Sequence, residues 1–360
     1  MKIVTILGAR PQFIKAAGIS RALARHKNVD EIIIHTGQHF DRNMSDIFFS
    51  ELDLRIPDYH LGIHGMGHGA MTGRMMEQIE ILLKEIKPEW VNVYGDTDST
   101  LAGALAAAKL HIPVSHVEAG LRSFNRTMPE EINRVLTDHI SELLFTPTQT
   151  AVEHLKTEGI SLDKIYPVGD VMYDTTLYYS AMAHERSRIL KDLKLEPLSY
   201  YLATIHRPQN TDTPEALRLI CNVLDEVAQK IRVILPIHPR MRKKMNEFGI
   251  ELRKVECIDP AGYLDMIELE RQSALIITDS GGVQKEAYFH RVPCVTLRPE
   301  TEWVELVEHR WNLVLPPSVD IDMVSAIHQQ AGIKGDDVQL YGDGNASEKI
   351  AEVLVKSTRA

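Results

Sequence analysis

Cysteine is nearly absent: only Cys221, Cys257 and Cys294 occur in 360 residues, widely spaced and odd in number. That usage supplies neither a disulfide framework nor a zinc site, and it fits a reducing cytoplasm. No apolar run approaches the ~18 residues of a membrane span. The leading run Met1 to Gly8 is too short for a secretory signal and ends in a glycine turn. Positive charge is also scarce, with 40 Lys and Arg against 50 Asp and Glu for a formal net charge of −10. A general nucleic-acid binder needs a basic stripe and is excluded, whereas a small anionic ligand needs only a few placed cations. The first strand–turn–helix junction lacks the G-x-G-x-x-G spacing of a dinucleotide site. No low-complexity linker interrupts the chain. These absences predict a cytoplasmic protein with no nucleic-acid or membrane partner.

Hydrophobic residues at 44% and charged residues at 25% are enough for real cores, and 360 residues exceed most single domains. Short apolar runs alternate with helical patterns along two stretches of similar size. This predicts an α/β protein of two Rossmann-like domains with a deep interdomain cleft, and polar groups at the strand tips of both. The stretch Leu275 to Val295 organises the second half. A buried strand runs into Thr278-Asp279-Ser280-Gly281-Gly282 and then a helix start, so unpaired N–H groups and the helix dipole form an anion site. Gly281 and Gly282 let a phosphate approach the backbone. Glu286, one turn on, reaches a neutral polar group such as a sugar hydroxyl. The plainer alternative is a tight turn with Ser280 as helix cap.

In the first half, Arg10 and Lys15 flank the turn after the first strand and suit a phosphate or carboxylate, or else are solvated surface cations. Asp96 and Glu118 stand just past the carboxyl ends of two successive strands, where open α/β sheets bind ligands. Asp96 has the alternative of capping the next helix. Glu130, in the first turn of a helix opened by Pro129, can be a dipole complement. His60, His64 and His68 repeat every fourth residue, but Gly62, Gly65, Gly67 and Gly69 interleave them. A mobile loop, rather than a metal-binding helix, is expected there. A helix then follows from Met71 to Lys84, with Met75, Ile79, Leu82 and Leu83 in the core.

Six motifs lie in one order over nearly the whole chain: GARPQFIK (8–15), GDTDST (95–100), HVEAGLRS (116–123), PEEINR (129–134), TDSGGVQKEA (278–287) and YGDG (341–344). Together they resemble the non-hydrolysing UDP-N-acetylglucosamine 2-epimerase family. The resemblance implies a glycosyltransferase-B-like fold and a homodimer acting on a UDP-sugar without cofactor or metal. The expected divisions are an N-terminal catalytic domain over 1–169, a UDP-binding domain over 170–345, and a last helix, 346–360, packing back on the first domain. It further implies elimination of UDP to a glycal-type intermediate and re-addition with the C2 proton delivered to the other face. Carried over by motif, Asp96, Glu118, Glu130 and His206 look like the catalytic set. The carboxylates would serve the faces of C2, and His206 with the cations would stabilise the diphosphate. Arg10, Lys15, Ser280, Gly281 and Gly282 look like phosphate contacts and Glu286 like the ribose contact. Ala261 and Met266 look like the uracil-binding segment.

Three departures stand out. The family's T-E-R-P is Thr301-Glu302-Trp303-Val304, H-R-R-E is His206-Arg207-Pro208-Gln209, and Q-H-R is Gln38-His39-Phe40. The last two places carry an allosteric UDP-sugar site in some bacterial members. The subgroup with HTGQHFD, HGxxHGxMTGRM and TEWVE resembles epimerases of UDP-2,3-diacetamido-2,3-dideoxy-glucuronate, which supply the mannuronate epimer for bacterial surface polysaccharide such as O-antigen lipopolysaccharide. The added carboxylate makes His64, His68 and Arg74, with Trp303, the candidates for sugar selectivity. Plain UDP-N-acetylglucosamine is the alternative substrate. A glycosyltransferase of the same fold and a UDP-sugar-binding regulator are the alternative functions.

Overall fold

The computed structural model describes residues 1–38 and 55–357. It contains two parallel sheets. The first consists of β1 (Lys2–Leu7), β2 (Asp30–His35), β3 (Tyr59–His60), β4 (Trp90–Tyr94), β5 (Val114–Val117), β6 (Leu143–Thr146) and β7 (Ile165–Pro167), in the order β3-β2-β1-β4-β5-β6-β7. The second consists of β8 (Tyr200–Thr204), β9 (Arg232–Pro236), β10 (Glu256–Ile258), β11 (Leu275–Thr278), β12 (Cys294–Thr296) and β13 (Asn312–Val314), in the order β10-β9-β8-β11-β12-β13. Each order reverses once, between β1 and β4 in the first sheet and between β8 and β11 in the second. Ligand crevices of open α/β sheets form at such switch points.

The strands read as near-continuous apolar runs because helices cover both faces. In the second sheet, Tyr201, Ala203, Leu275 and Ile277 enter one core, while the alternating Tyr200, Leu202 and Ile276 enter another. In the first, every residue of β4 is buried, including Asn92, whose amide donates to Tyr94 Oη at 2.8 Å.

The chain divides into two compact units, Met1–Thr175 with Gln339–Ala360, and Thr176–Val338. One helix, Val171–Arg186, carries the chain out of the first unit. The return is built from backbone: Asp170 N–H donates to Tyr341 O at 3.0 Å, and a Cβ on Gly342 would come within 2.9 Å of Gly169 Cα. The last helix, Ala346–Lys356, lies against Arg10–Leu23, so close that a Cβ on Gly18 would sit 2.5 Å from Ser347 Oγ. Ser347 N–H donates to Asp174 Oδ2 at 2.6 Å, and Arg25 pairs with Glu348.

Several expectations are corrected. The helix expected from Met71 begins at His68 and ends at Ile86, so His68 belongs to its first turn and not to a loop. Its buried positions are Met71, Met75, Ile79, Leu83 and Ile86, while Leu82 is only partly buried at the margin of that core. The glycines deter a helix only up to Gly67, which is the N-cap. β3, β13 and the helix Met323–Ala331 were not foreseen, the first two being only two and three residues long. Among the described residues no helix is long and apolar enough to cross a membrane.

Candidate functional site

At the switch point of the first sheet, the tips of β1, β4 and β5 converge. The β1 tip is tied down by Gln12, whose Oε1 accepts the Gly8 and Ala9 N–H groups at 2.7 and 2.9 Å and whose amide donates to Tyr94 O at 2.7 Å. Gly8 is required by proximity, since a Cβ there would lie 2.0 Å from Ser99 Oγ. Arg10 opens the helix Arg10–Leu23, and its side chain lies outside the described residues, as do His39 and Phe40. Lys15, on the same helix, ion-pairs with Glu118 at the β5 tip, both side chains being 11% exposed. Glu118 adopts φ +72°, a left-handed conformation that costs about 1 kcal/mol or more in a non-glycine residue. Both its N–H and that of Ala119 donate to Phe145 O, at 3.1 and 3.0 Å, which holds the strained turn in place.

Asp96 is not a helix cap. Thr97 caps the helix Asp98–Lys109, accepting the Thr100 N–H, and Asp96 instead pairs with Arg134. Arg134 also bonds Glu131 at 3.1 Å, and Asn133 donates to Asp96 O at 3.0 Å and to Asp98 Oδ1 at 3.2 Å. Asp98 in turn meets His68 Nδ1 at 2.8 Å. The helix Pro129–Ile140 thus grips the Asp96 loop. Glu130, in its first turn, is exposed and makes no hydrogen bond or ion pair among the described residues. His64 is exposed, and Arg74 is exposed and engages Glu77 at 3.4 Å. Of the sugar-selectivity candidates in this unit, His68 is joined through Asp98 to the residues around Asp96.

Glu131, beside Glu130, has a different role. Burial pushes its carboxyl up, but Ser123 N–H and Oγ, Arg134 and Phe124 N–H together hold it below the ordinary carboxylate value. A folded-state value below the unfolded one stabilises the protein above the ordinary range, near pH 4.5, and that contribution fades as pH falls through the folded value. Glu131→Gln is therefore expected to lower the urea midpoint at pH ~7 more than at pH ~4. Equal lowering at both values would contradict the assignment.

At the switch point of the second sheet, His206 follows β8 and Asp279 follows β11. Asp279 is fully buried and collects the His206 N–H (3.1 Å to each oxygen), the Arg207 N–H (3.0 Å) and Asn210 Nδ2 (3.0 Å). His206 Nδ1 is 3.4 Å from Asp279 Oδ1, and the ring, 42% exposed, lies 6.0 Å from that of His238. Burial, with His206 and Arg240 nearby, holds His238 below the ordinary imidazole value.

Ser280 is the N-cap of the helix Gly281–Phe289, yet its side chain makes no capping bond. The first-turn amides are thus not capped by the Ser280 hydroxyl, so the simple Ser cap does not account for this turn. The two glycines differ. A Cβ on Gly282 would meet nothing closer than Ser280 Oγ at 3.9 Å, whereas one on Gly281 would lie 2.4 Å from Glu302 Oε1. Gly281 is thus needed to seat Glu302, which Arg298 holds at 3.0 Å. Trp303 is buried and donates its indole N–H to Gly281 O at 3.0 Å, with Lys285 Nζ 4.2 Å above its ring. Trp303 braces the turn after β11. Glu286 lies in the second turn of that helix. Ala261 and Met266 are half-buried against the core that includes Leu195 and Leu269.

Sequence reasoning did not single out Arg134, Asp138, His116 or Asp279 as site residues. Each lies in or beside a quoted motif, but its role depends on partners far along the chain. Among the described residues no cluster of His, Cys, Asp and Glu has the geometry to hold a metal.

The model of the family described as UDP-N-acetylglucosamine 2-epimerase matches residues 21–355. The chain is 51% identical over 359 residues to the UDP-2,3-diacetamido-2,3-dideoxy-D-glucuronate 2-epimerase of Pseudomonas aeruginosa, covering 99% of this chain and 100% of that one. It is 50% identical to a UDP-N-acetylglucosamine 2-epimerase homolog of Methanococcus maripaludis, covering 98% and 99%. The solved UDP-GlcNAc 2-epimerase of Methanocaldococcus jannaschii, in complex with UDP-GlcNAc and UDP, superposes with a TM-score of 0.90 at 43% identity over 99% of this chain and 100% of that one. The two parallel sheets are accordingly those of a glycosyltransferase-B-like epimerase fold. With its switch-point carboxylates and open helix N-terminus, the chain belongs to the UDP-N-acetylglucosamine 2-epimerase family of UDP-sugar 2-epimerases.

Proposed function

We propose that the protein epimerises UDP-2,3-diacetamido-2,3-dideoxy-glucuronate at C2, giving the mannuronate epimer. The observation that carries the chemistry is the pair Asp96 and Glu118 on adjacent strand tips, each held by a cation, Arg134 and Lys15. The C2 proton is not next to a carbonyl, so it is removed as the C1–O bond to UDP breaks. The C2–H electron pair becomes the C1=C2 double bond, and the C1–O pair leaves with the diphosphate. Re-addition of UDP to C1 with proton delivery to the opposite face of C2 completes the inversion. Two positioned carboxylates suit the two proton transfers, with Glu130 as a third, solvent-facing group. His206 and the N-terminus of Gly281–Phe289 suit a diphosphate that must leave carbon without being lost. Ser280 and Gly282 are its further contacts in this reading, Glu286 takes the ribose, and Ala261 and Met266 border the base.

The substrate assignment draws support from the 51% identity to the Pseudomonas aeruginosa enzyme over its whole length. His68, joined to Asp98 and 67% exposed, is suited to meet an added carboxylate. The test is turnover of the diacetamido-glucuronate against UDP-N-acetylglucosamine. Preference for the uronate by at least about tenfold in kcat/KM, or 1.4 kcal/mol, is expected. Equal or better use of UDP-N-acetylglucosamine would contradict it.

A further inference from the structure

His116 has an acceptor at each ring nitrogen. Nε2 stands 2.7 Å from Gly95 O and Nδ1 2.7 Å from Asp138 Oδ1. A neutral imidazole offers one N–H and one lone pair, whereas a carbonyl and a carboxylate only accept. The ring and the Asp138 carboxylate are both fully buried, so solvent does not relieve the mismatch. Both contacts are satisfied when each nitrogen carries a proton, or when Asp138 Oδ1 holds the proton shared with Nδ1; the donors on Asp138 Oδ2 favour the ionised carboxylate and so the doubly protonated ring. The surrounding charges agree. Asp138 Oδ2 takes Arg122 Nη1 at 2.7 Å and the Gly120 N–H at 3.1 Å, and Arg122 forks onto Glu158 at 2.7 and 2.8 Å. Counting His116 as a cation gives two cations, His116 and Arg122, against two anions, Asp138 and Glu158. His139 meets Glu158 at 3.0 Å from the exposed side.

The anchored atoms border the reaction groups. Gly95 precedes Asp96, and Gly120 follows Glu118 by two residues. The Cβ position of Gly95, at φ +62°, lies 3.3 Å from both Glu118 Oε2 and Lys15 Nζ, so this backbone is the floor under that ion pair. The helix Pro129–Ile140 reaches Asp96 through Asn133 and Arg134 and, one turn later, reaches His116 and Gly120 through Asp138. We infer that the buried Asp138–His116 pair is a positioning device: it holds His116 as an imidazolium that pins the Gly95 carbonyl, and with the Gly120 anchor it fixes where Asp96 and Glu118 stand relative to each other. This rests on the reading of those two carboxylates as the acid–base groups. His116 and Asp138 act through them and need not touch substrate.

The test has two arms on the full-length protein. Nitrogen-15 NMR of the imidazoles at neutral pH, with His116 assigned in the wild-type protein by sequential and through-space correlations, should show both His116 nitrogens bearing protons. One bare ring nitrogen overturns the proposal, whether or not any variant folds. In the kinetic arm, His116→Gln and Asp138→Asn should lower kcat about 100-fold, the scale of a small misplacement of reacting groups. KM and UDP affinity should stay within about threefold, which is under 1 kcal/mol. A folded variant with wild-type kcat, or one whose loss lies in KM, overturns it. Failure of the epimerase reading looks different: the wild-type protein itself would not exchange the C2 proton, while the NMR result would be unaffected.

Discussion

Glu118→Gln is expected to lower epimerisation by about 10²–10⁴-fold, the usual contribution of a positioned acid or base. UDP affinity should remain within about tenfold, or 1.4 kcal/mol. The separation follows from the local geometry. Glutamine keeps the shape and one acceptor for Lys15, so the Lys15–Glu118 contact and the strained turn at φ +72° persist. The negative charge and the capacity to take up a proton are removed. An unneutralised Lys15 would also be no worse a partner for a phosphate. Steady-state rates with calorimetric UDP titration measure both quantities. A collapse of UDP affinity at unchanged kcat would instead make Glu118 a nucleotide ligand.

Asp279→Ala should have the largest effect on the second unit. One fully buried carboxylate there satisfies two backbone N–H groups and the Asn210 amide, binding the loop after β8 to the tip of β11. Truncation leaves these donors without a partner, at about 1–3 kcal/mol for each that stays dry. A loss on the order of 3 kcal/mol in unfolding free energy is expected, with turnover falling further because His206 loses its anchor. Asp279→Asn, which keeps one acceptor, should recover about half of the stability. Denaturant unfolding with parallel kinetics checks this. Full stability in the alanine variant would mean that the loop is held by other contacts.

The architecture was legible because buried parallel strands leave a simple trace, a short apolar run followed by a glycine or acidic turn. β4, β5 and β11 all read in that way, and their tips carry Asp96, Glu118 and the Ser280–Gly282 turn. Elements of two or three residues, such as β3 and β13, leave no such trace because they are stabilised by neighbours rather than by their own pattern.

Site partners were harder to read for a related reason. Asp96 looked equally like a helix cap until Thr97 was seen in that place and Arg134 on the carboxylate. Gly281 and Gly282 look alike in sequence, yet one makes room for Glu302 and the other stands open. His116 and Asp138 are 22 residues apart, and nothing in local spacing says that their side chains meet. Trp303, noticed as a departure from the family pattern, has a structural reason in its bond to Gly281 O. Motifs locate the candidate residues, while the long-range hydrogen bonds show which side chains hold which others in place.

The most direct measurement is the reaction of UDP-2,3-diacetamido-2,3-dideoxy-glucuronate in deuterated water, followed by NMR at C2 and by assay of free UDP. The account predicts one deuterium at C2 of the mannuronate product, and the same label in recovered substrate after repeated turnover, with no stoichiometric accumulation of UDP. Product without deuterium at C2 would contradict proton removal at that carbon, and UDP released one for one with the sugar would contradict its re-addition.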